Sequence, residues 1–301
     1  MLCADLDSHY FQHAATKAHD DEDDACDEDE DLWVLIEETD EVFEGFRQLM
    51  DALMTIYKEP CVAFAQALVL PTLGEFLSKP LYGPAIKSTA INLMNSIVKH
   101  GGIQGSGLVP QILPLWIAAS QEENADVRTT AFFGIGICAM SNPEVVNQGL
   151  APVWQVIQQV LGKKAEMVTE HDEHVVWDNA VSTAFRLFRA GLITDPSIYN
   201  SLLGLLPMNS DDVDEAAAVV DIVVAVSDRF RPAAGMRSLA EQQVKLLLDK
   251  HEKFQQVRVP FSITYFQKKL FFTFFLDPDP NTMRSVSFPV HLGVFQSCAH
   301  S

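Results

Sequence analysis

The chain has 301 residues, 48% of them hydrophobic, and a formal net charge of −20. No apolar run approaches the roughly 20 residues that a membrane-spanning helix needs; the richest, Ala216 to Val226, is split by Asp221. An acidic chain repels nucleic-acid phosphate and attracts basic proteins, which argues against DNA or RNA binding, and the lack of a long apolar run predicts no membrane insertion.

The charge is concentrated at one end. Residues 1–60 carry 19 acidic and 3 basic side chains, against 22 and 18 in the remainder. Asp20 to Asp31 is acidic except at Ala25 and Cys26. With few apolar residues and a self-repelling charge block, residues 1–31 are predicted to be a disordered acidic segment. Met1 to Asp5 shows neither the basic start nor the apolar stretch of a secretory signal. Cys3, Cys26, Cys61, Cys138 and Cys298 show no CxxC spacing, and Cys61 and Cys138 fall in apolar helical stretches. Both observations predict a reducing compartment, cytoplasm or nucleus.

From Leu32 to Tyr57 the pattern turns helical, with Leu35, Phe43, Phe46, Leu49, Met50, Leu53 and Ile56 as an apolar stripe that Pro60 ends. A partner helix is predicted over about Val62 to Leu77. Four further pairs follow: Pro84–Lys99 with Leu108–Ala119, Ala125–Met140 with Glu144–Leu161, Glu173–Ala190 with Ile198–Leu206, and Asp212–Asp228 with Arg237–His251. Ser141-Asn142-Pro143 suits a helix start. Asp126 faces the positive end of its helix dipole, and Arg128 is placed to reach a neighbouring acid or carbonyl. Trp177, Val181, Ala184, Phe185 and Phe188 share one side of their helix.

The first helices repeat a unit in which a β-branched residue precedes an alanine by four places and a further apolar residue follows. The units are Ile86/Ala90/Ile97, Val127/Ala131/Cys138, Val176/Ala180/Leu187 and Val213/Ala217/Val224. Their starts lie 41, 49 and 37 residues apart, and Leu70-Pro71, Leu113-Pro114 and Ala151-Pro152 echo between them. A loose period with two apolar helical patterns per unit predicts an all-α HEAT/armadillo-type α-solenoid, a superhelix of antiparallel helix pairs. The alanine leaves room for a partner helix to approach. Such a fold offers surface, so binding is expected before chemistry. About five repeats are predicted over 32–254. Residues 255–301 hold 8 of the 19 phenylalanines and lose the two-helix pattern; they read as an atypical hydrophobic tail, either a divergent cap or a segment not native to the fold. Exposed, the tail would be an aggregation hazard.

Four segments carry a resemblance: the acidic run into a helix at Asp27-Glu28-Asp29-Glu30-Asp31-Leu32-Trp33; Asn124-Ala125-Asp126-Val127-Arg128 through Gly134-Ile135-Gly136; Asp178-Asn179-Ala180-Val181; and Leu205-Leu206-Pro207 followed by Asp211-Asp212-Val213. In this order they resemble the importin-β (karyopherin-β) family, specifically the C-terminal HEAT repeats of large importins that carry ribosomal proteins and histones. The resemblance covers about residues 27–254. It implies a nuclear import receptor that binds basic cargo proteins and nucleoporins and shuttles between cytoplasm and nucleus. Members are much longer, so the resemblance implies a C-terminal portion without the repeats that form the main Ran-GTP site.

Candidate partner-binding residues are Asp27, Glu28, Asp29, Glu30 and Asp31, together with Trp116 and Trp154, which follow repeat-phase prolines. The acidic run reads either as a cargo-attracting loop or as a solvated linker. The tryptophans read either as core anchors or as aromatic grips on a partner. Glu170-His171-Asp172-Glu173-His174 is metal-capable by composition, but it precedes a helix, where acids suit the dipole, and no second ligand cluster accompanies it. His9, His13 and His19 lack cysteine partners. Gly134-Ile135-Gly136 lacks the strand and third glycine of a nucleotide loop. No catalytic, metal or cofactor site is predicted, and the chain is not expected to be an enzyme. Two rival readings are a HEAT scaffold without a transport role and a metal-dependent hydrolase using Glu170 to His174.

Overall fold

The computed structural model describes residues 42, 44–79, 82–163, 171–208, 213–226 and 229–230, with five further positions between 239 and 246. All of them fall in the first of two units into which the chain divides, 1–247 and 248–301. The acidic segment 1–31, the tail 255–301 and most of the helix predicted over 237–251 lie outside the described residues. Among those described, every regular element is helical. The chain is all-α, as its periodicity predicts.

α1 (44–57) ends at Lys58, whose φ of 53° lies in the left-handed region. Pro60 then sits in the first turn of α2 (Glu59–Phe64), where a missing N–H breaks no intrahelical bond. The break therefore falls ahead of the proline, not at it. α2 passes through a π-helical turn, Ala65–Val69, into α3 (Leu70–Ser78). Pro71 accounts for the turn: its ring would meet the carbonyl of Ala67, and it donates no bond. The axis bends by 55° there. No single described helix is long and apolar enough to cross a membrane. The bent pair reaches that hydropathy only jointly, and it buries Val62, Ala65, Leu73 and Phe76.

α4 (Pro84–His100), a short α5 (Gly102–Ser106) and α6 (Val109–Ala119) follow. α7 (Ala125–Ser141) is capped by Asn124, whose Oδ1 accepts from the N–H groups of Asp126 and Val127 at 3.0 and 3.1 Å. Such a cap stabilises a helix by about 1 kcal/mol. Asn142 caps α8 (Pro143–Gln148) in the same way, accepting from Val145 at 3.3 Å. The helix predicted over 144–161 is two helices, since the chain turns at Gly149 before α9 (Leu150–Leu161). α10 (His171–Arg189), α11 (Pro196–Leu203) and α12 (Val213–Val226) complete the described set.

The four helices with the repeated unit, α4, α7, α10 and α12, pack on one another in that order, most extensively between α7 and α10. Ala90, Ala131 and Ala180 are fully buried at these contacts. In α12 the buried small residue is Ala216, and Ala217 is half-buried. α1 is joined to α4 through Asp51. It buries Met50 and Met54 but exposes Phe46, Leu49 and Ile56, so its apolar stripe is only partly covered by the described residues.

The pairing of helices differs from the predicted one. Sequence pattern pairs α4 with α6 and α7 with α9, whereas α6 packs closely on α7 and α9 on α10, with little between α4 and α6. The turn at 120–124 folds α6 straight back on α7, while α5 intervenes between α4 and α6. Amphipathic pattern shows which face is apolar and leaves open which neighbour covers it.

Candidate functional site

Polar side chains bridge each pair of neighbours in the α1–α4–α7–α10–α12 series. Ser96 Oγ donates to Asp51 Oδ1 at 2.6 Å, linking α4 to α1. Asn95 Nδ2 donates to the Thr130 carbonyl at 3.2 Å, and Thr183 Oγ1 to the Phe132 carbonyl at 2.7 Å, joining α4 and α10 to α7. Between α10 and α12, Ser182 Oγ and Arg186 Nη2 donate to the two carboxylate oxygens of Glu215 at 2.5 and 2.6 Å. All but Asp51 and Thr130 among these side chains are buried, and buried polar groups need such partners.

Near the helix starts, Lys87 pairs with Glu122 at 3.0 Å and Arg128 with Glu173. Arg128 also donates to the carbonyls of Glu122 and Glu123 at 2.8 and 2.5 Å. It reaches both an acid and a carbonyl, the two partners its position at the helix start predicts. Glu173, part of the metal-capable run, is held in this ion pair.

Toward the C-terminal ends of α4, α7 and α10, beside the start of α12, lies an open cleft of about 690 Å³. It is lined by Lys99 of α4, Phe133, Ile137, Met140 and Ser141 of α7, Arg186 of α10 and Glu215 of α12. Arg186 is 8% exposed and Glu215 6%, so their ion pair forms the floor. Gly136 makes that floor possible: a Cβ there would lie 2.6 Å from Arg186 Cδ and displace the side chain. Lying across Gly136, the guanidinium reaches the Phe133 ring, with Cζ 5.2 Å from the centroid, close enough for cation–π attraction. Arg186 Nη1 has no hydrogen-bond partner among the described residues. Lys99 is exposed and has no ion-pair partner among them. Met140, 47% exposed, forms an apolar rim. Ser141 is the one hydroxyl-bearing side chain among the described lining residues.

Of the predicted binding residues, Asp27, Glu28, Asp29, Glu30 and Asp31 lie outside the described residues. Trp116 is 0% exposed and belongs to the core. Its Nε1 donates to Asn95 Oδ1 at 2.7 Å, and the indole fills the notch left by Gly134, where a Cβ would come within 1.5 Å of Nε1. The glycine pair of α7 thus serves packing: Gly134 admits Trp116, and Gly136 admits Arg186. A partner has no access to Trp116 here, so the grip reading is corrected for that residue. Trp154 is half-buried on α9. Cys138 is buried, and burial pushes its thiol up to about 12, as befits an inert core residue. Trp177, Val181, Ala184, Phe185 and Phe188 are all buried on α10.

The cleft has no predicted counterpart. Phe133, Ile137 and Met140 lie in the second half of α7, which is apolar on nearly every face and does not set them apart from its core residues. That excess of apolar faces was the available signal, since a helix covered on one side needs only one apolar stripe.

No family model matches the chain. A stretch of 129 residues, 42% of the chain, is similar to human Importin-4 (Homo sapiens) at 26% identity and spans 11% of that protein's length.

Proposed function

We propose that this chain is part of a nuclear import receptor and acts by binding proteins, with no catalytic step of its own. The observation that carries the reading is the local similarity to Importin-4, in a chain whose regular elements among the described residues are all helices. The partners are basic cargo proteins of the ribosomal-protein and histone kind, drawn by the acidic bias of residues 1–60, with nucleoporins and Ran-GTP as partners of the longer receptor. The chain works in the cytoplasm and the nucleus. A lysine-rich histone tail should be captured by the full chain at low salt and released at high salt, because screening shortens the reach of exposed charge to about 8 Å at physiological ionic strength and to about 3 Å at 1 M. Absent or salt-insensitive capture would contradict the reading. A helical scaffold with no transport role predicts a fixed cellular location, whereas a receptor fragment that engages the pore moves between compartments.

A further inference from the structure

We infer that the cleft between α4, α7, α10 and α12 is a docking site for a partner segment in which acidic residues alternate with apolar ones. The proposal goes beyond carriage of basic cargo, because the chemistry of the cleft is of the opposite sign. Among the described residues two cations line it, Lys99 and Arg186, against one carboxylate, Glu215. Glu215 is already engaged through both oxygens by Ser182 and Arg186 and is almost wholly buried, so it is poorly placed to receive a lysine or arginine from outside. Lys99 is exposed and has no ion-pair partner among the described residues, so its charge faces an incoming group, while Arg186, whose buried Nη1 has no hydrogen-bond partner among them, adds positive potential from the floor. A carboxylate is the group that answers both, through a charge-assisted hydrogen bond to the Lys99 ammonium and attraction to the guanidinium beneath it.

The apolar half of the recognition comes from α7. Phe133, Ile137 and Met140 are spaced four and three residues apart, so they form one strip along the helix beside the cations. A segment carrying leucine or phenylalanine next to glutamate would cover Met140, which is otherwise exposed, and place its carboxylate over Lys99 and Arg186. The ion pair beneath gives the site a fixed floor, because Gly136 and the Phe133 ring hold the Arg186 stem in place.

The test is fluorescence polarisation on the full chain with two labelled peptides, one alternating glutamate and leucine and the other lysine and leucine. The acidic peptide should bind saturably and more weakly as salt rises. Lys99→Glu should weaken it about tenfold, the scale of one charge-assisted contact, and Met140→Glu should weaken it as well. Both positions are exposed, so an unchanged thermal melt confirms that each variant folds. Equal binding by Lys99→Glu and the parent, or preference for the lysine peptide, overturns the proposal. So does binding that appears only when Asp27, Glu28, Asp29, Glu30 and Asp31 are replaced by Asn and Gln, since the chain's own acidic run would then be the occupant. A chain that captures the histone tail but ignores the acidic peptide loses this site and keeps the receptor reading.

Discussion

α10 and α1 occupy different places in the same helix series and are built by different rules. α10 is packed against α7 on one side and α12 on the other, and it buries Asp178, Asn179, Ser182, Thr183 and Arg186 alongside its apolar residues. It tolerates that polarity because its neighbours supply matched partners, such as Glu215 and the Phe132 carbonyl. α1 has α4 alone as a described neighbour in the series; it buries two methionines and leaves Phe46, Leu49, Ile56 and Tyr57 exposed. An internal helix of a stacked array is thus specified by polar matching as much as by apolar area. α1, the first described helix of the series, has the Asp51–Ser96 link to α4 and an apolar stripe that the described residues cover only in part.

The sharpest way to break this contrast is to strip one partner from the matched interior. Glu215→Ala leaves Arg186 buried without its carboxylate, and urea denaturation should show a loss of about 3–5 kcal/mol. Replacing the pair together, Arg186→Met with Glu215→Leu, should recover most of it, because the cost lies in the stranded charge and not in the absence of the bridge. A near-neutral Glu215→Ala would show that polar matching does not hold α10 and α12 together.

Trp116→Ala comes next. It empties the Gly134 notch and leaves Asn95 Oδ1 without its donor, for an expected cost of about 3–5 kcal/mol. Trp154→Ala, on a half-buried ring, should cost clearly less in the same assay. Equal losses would mean that the two tryptophans play the same part, against the structure. On α1, Leu49→Ser and Ile56→Ser should each fall within about 0.5 kcal/mol of the parent, as exposed positions do. A large loss there would reveal that the outer stripe of α1 is covered after all.

The smallest effect concerns the α1–α4 contact. Burial, then Lys99, holds His100 below the ordinary histidine range; Asp51, whose Oδ1 lies 3.6 Å from Nε2, pulls it upward, and Lys58 pushes it down again. The unfolded chain therefore takes up this proton first as pH falls. The stability His100 contributes is present above its unfolded pKa, about 6.5, and is lost as pH drops below it. His100→Gln should flatten the fall of Tm between about pH 7.5 and pH 5.5. An unaltered slope would assign that fall to other groups.

Much of this architecture is legible in the sequence, and the parts that are not share a cause. The β-branched and alanine spacing marks α4, α7 and α10 correctly, and Asp126-Val127-Arg128 marks a helix start whose arginine reaches back to the preceding turn. These are local signals, written within one or two helical turns. The pairing of α6 with α7 is not local, because the apolar face of α6 would suit either neighbour. What decides it is the shape match of Trp116 to Gly134, 18 residues away. The cleft is harder still to read. Arg186 and Glu215 meet across 29 residues, and Lys99 joins from a third helix. No periodicity records that meeting, although the surplus apolar face of α7 hints that something further is covered there.

The measurement that bears most directly on the stacked-helix account is amide hydrogen exchange of the full chain, resolved by segment. The account predicts that α7 and α10, packed on both sides, exchange only through global unfolding, while α1 exchanges through local opening at a much lower free energy. Exchange from α7 and α10 as fast as from α1 would contradict the stack and the cleft built upon it.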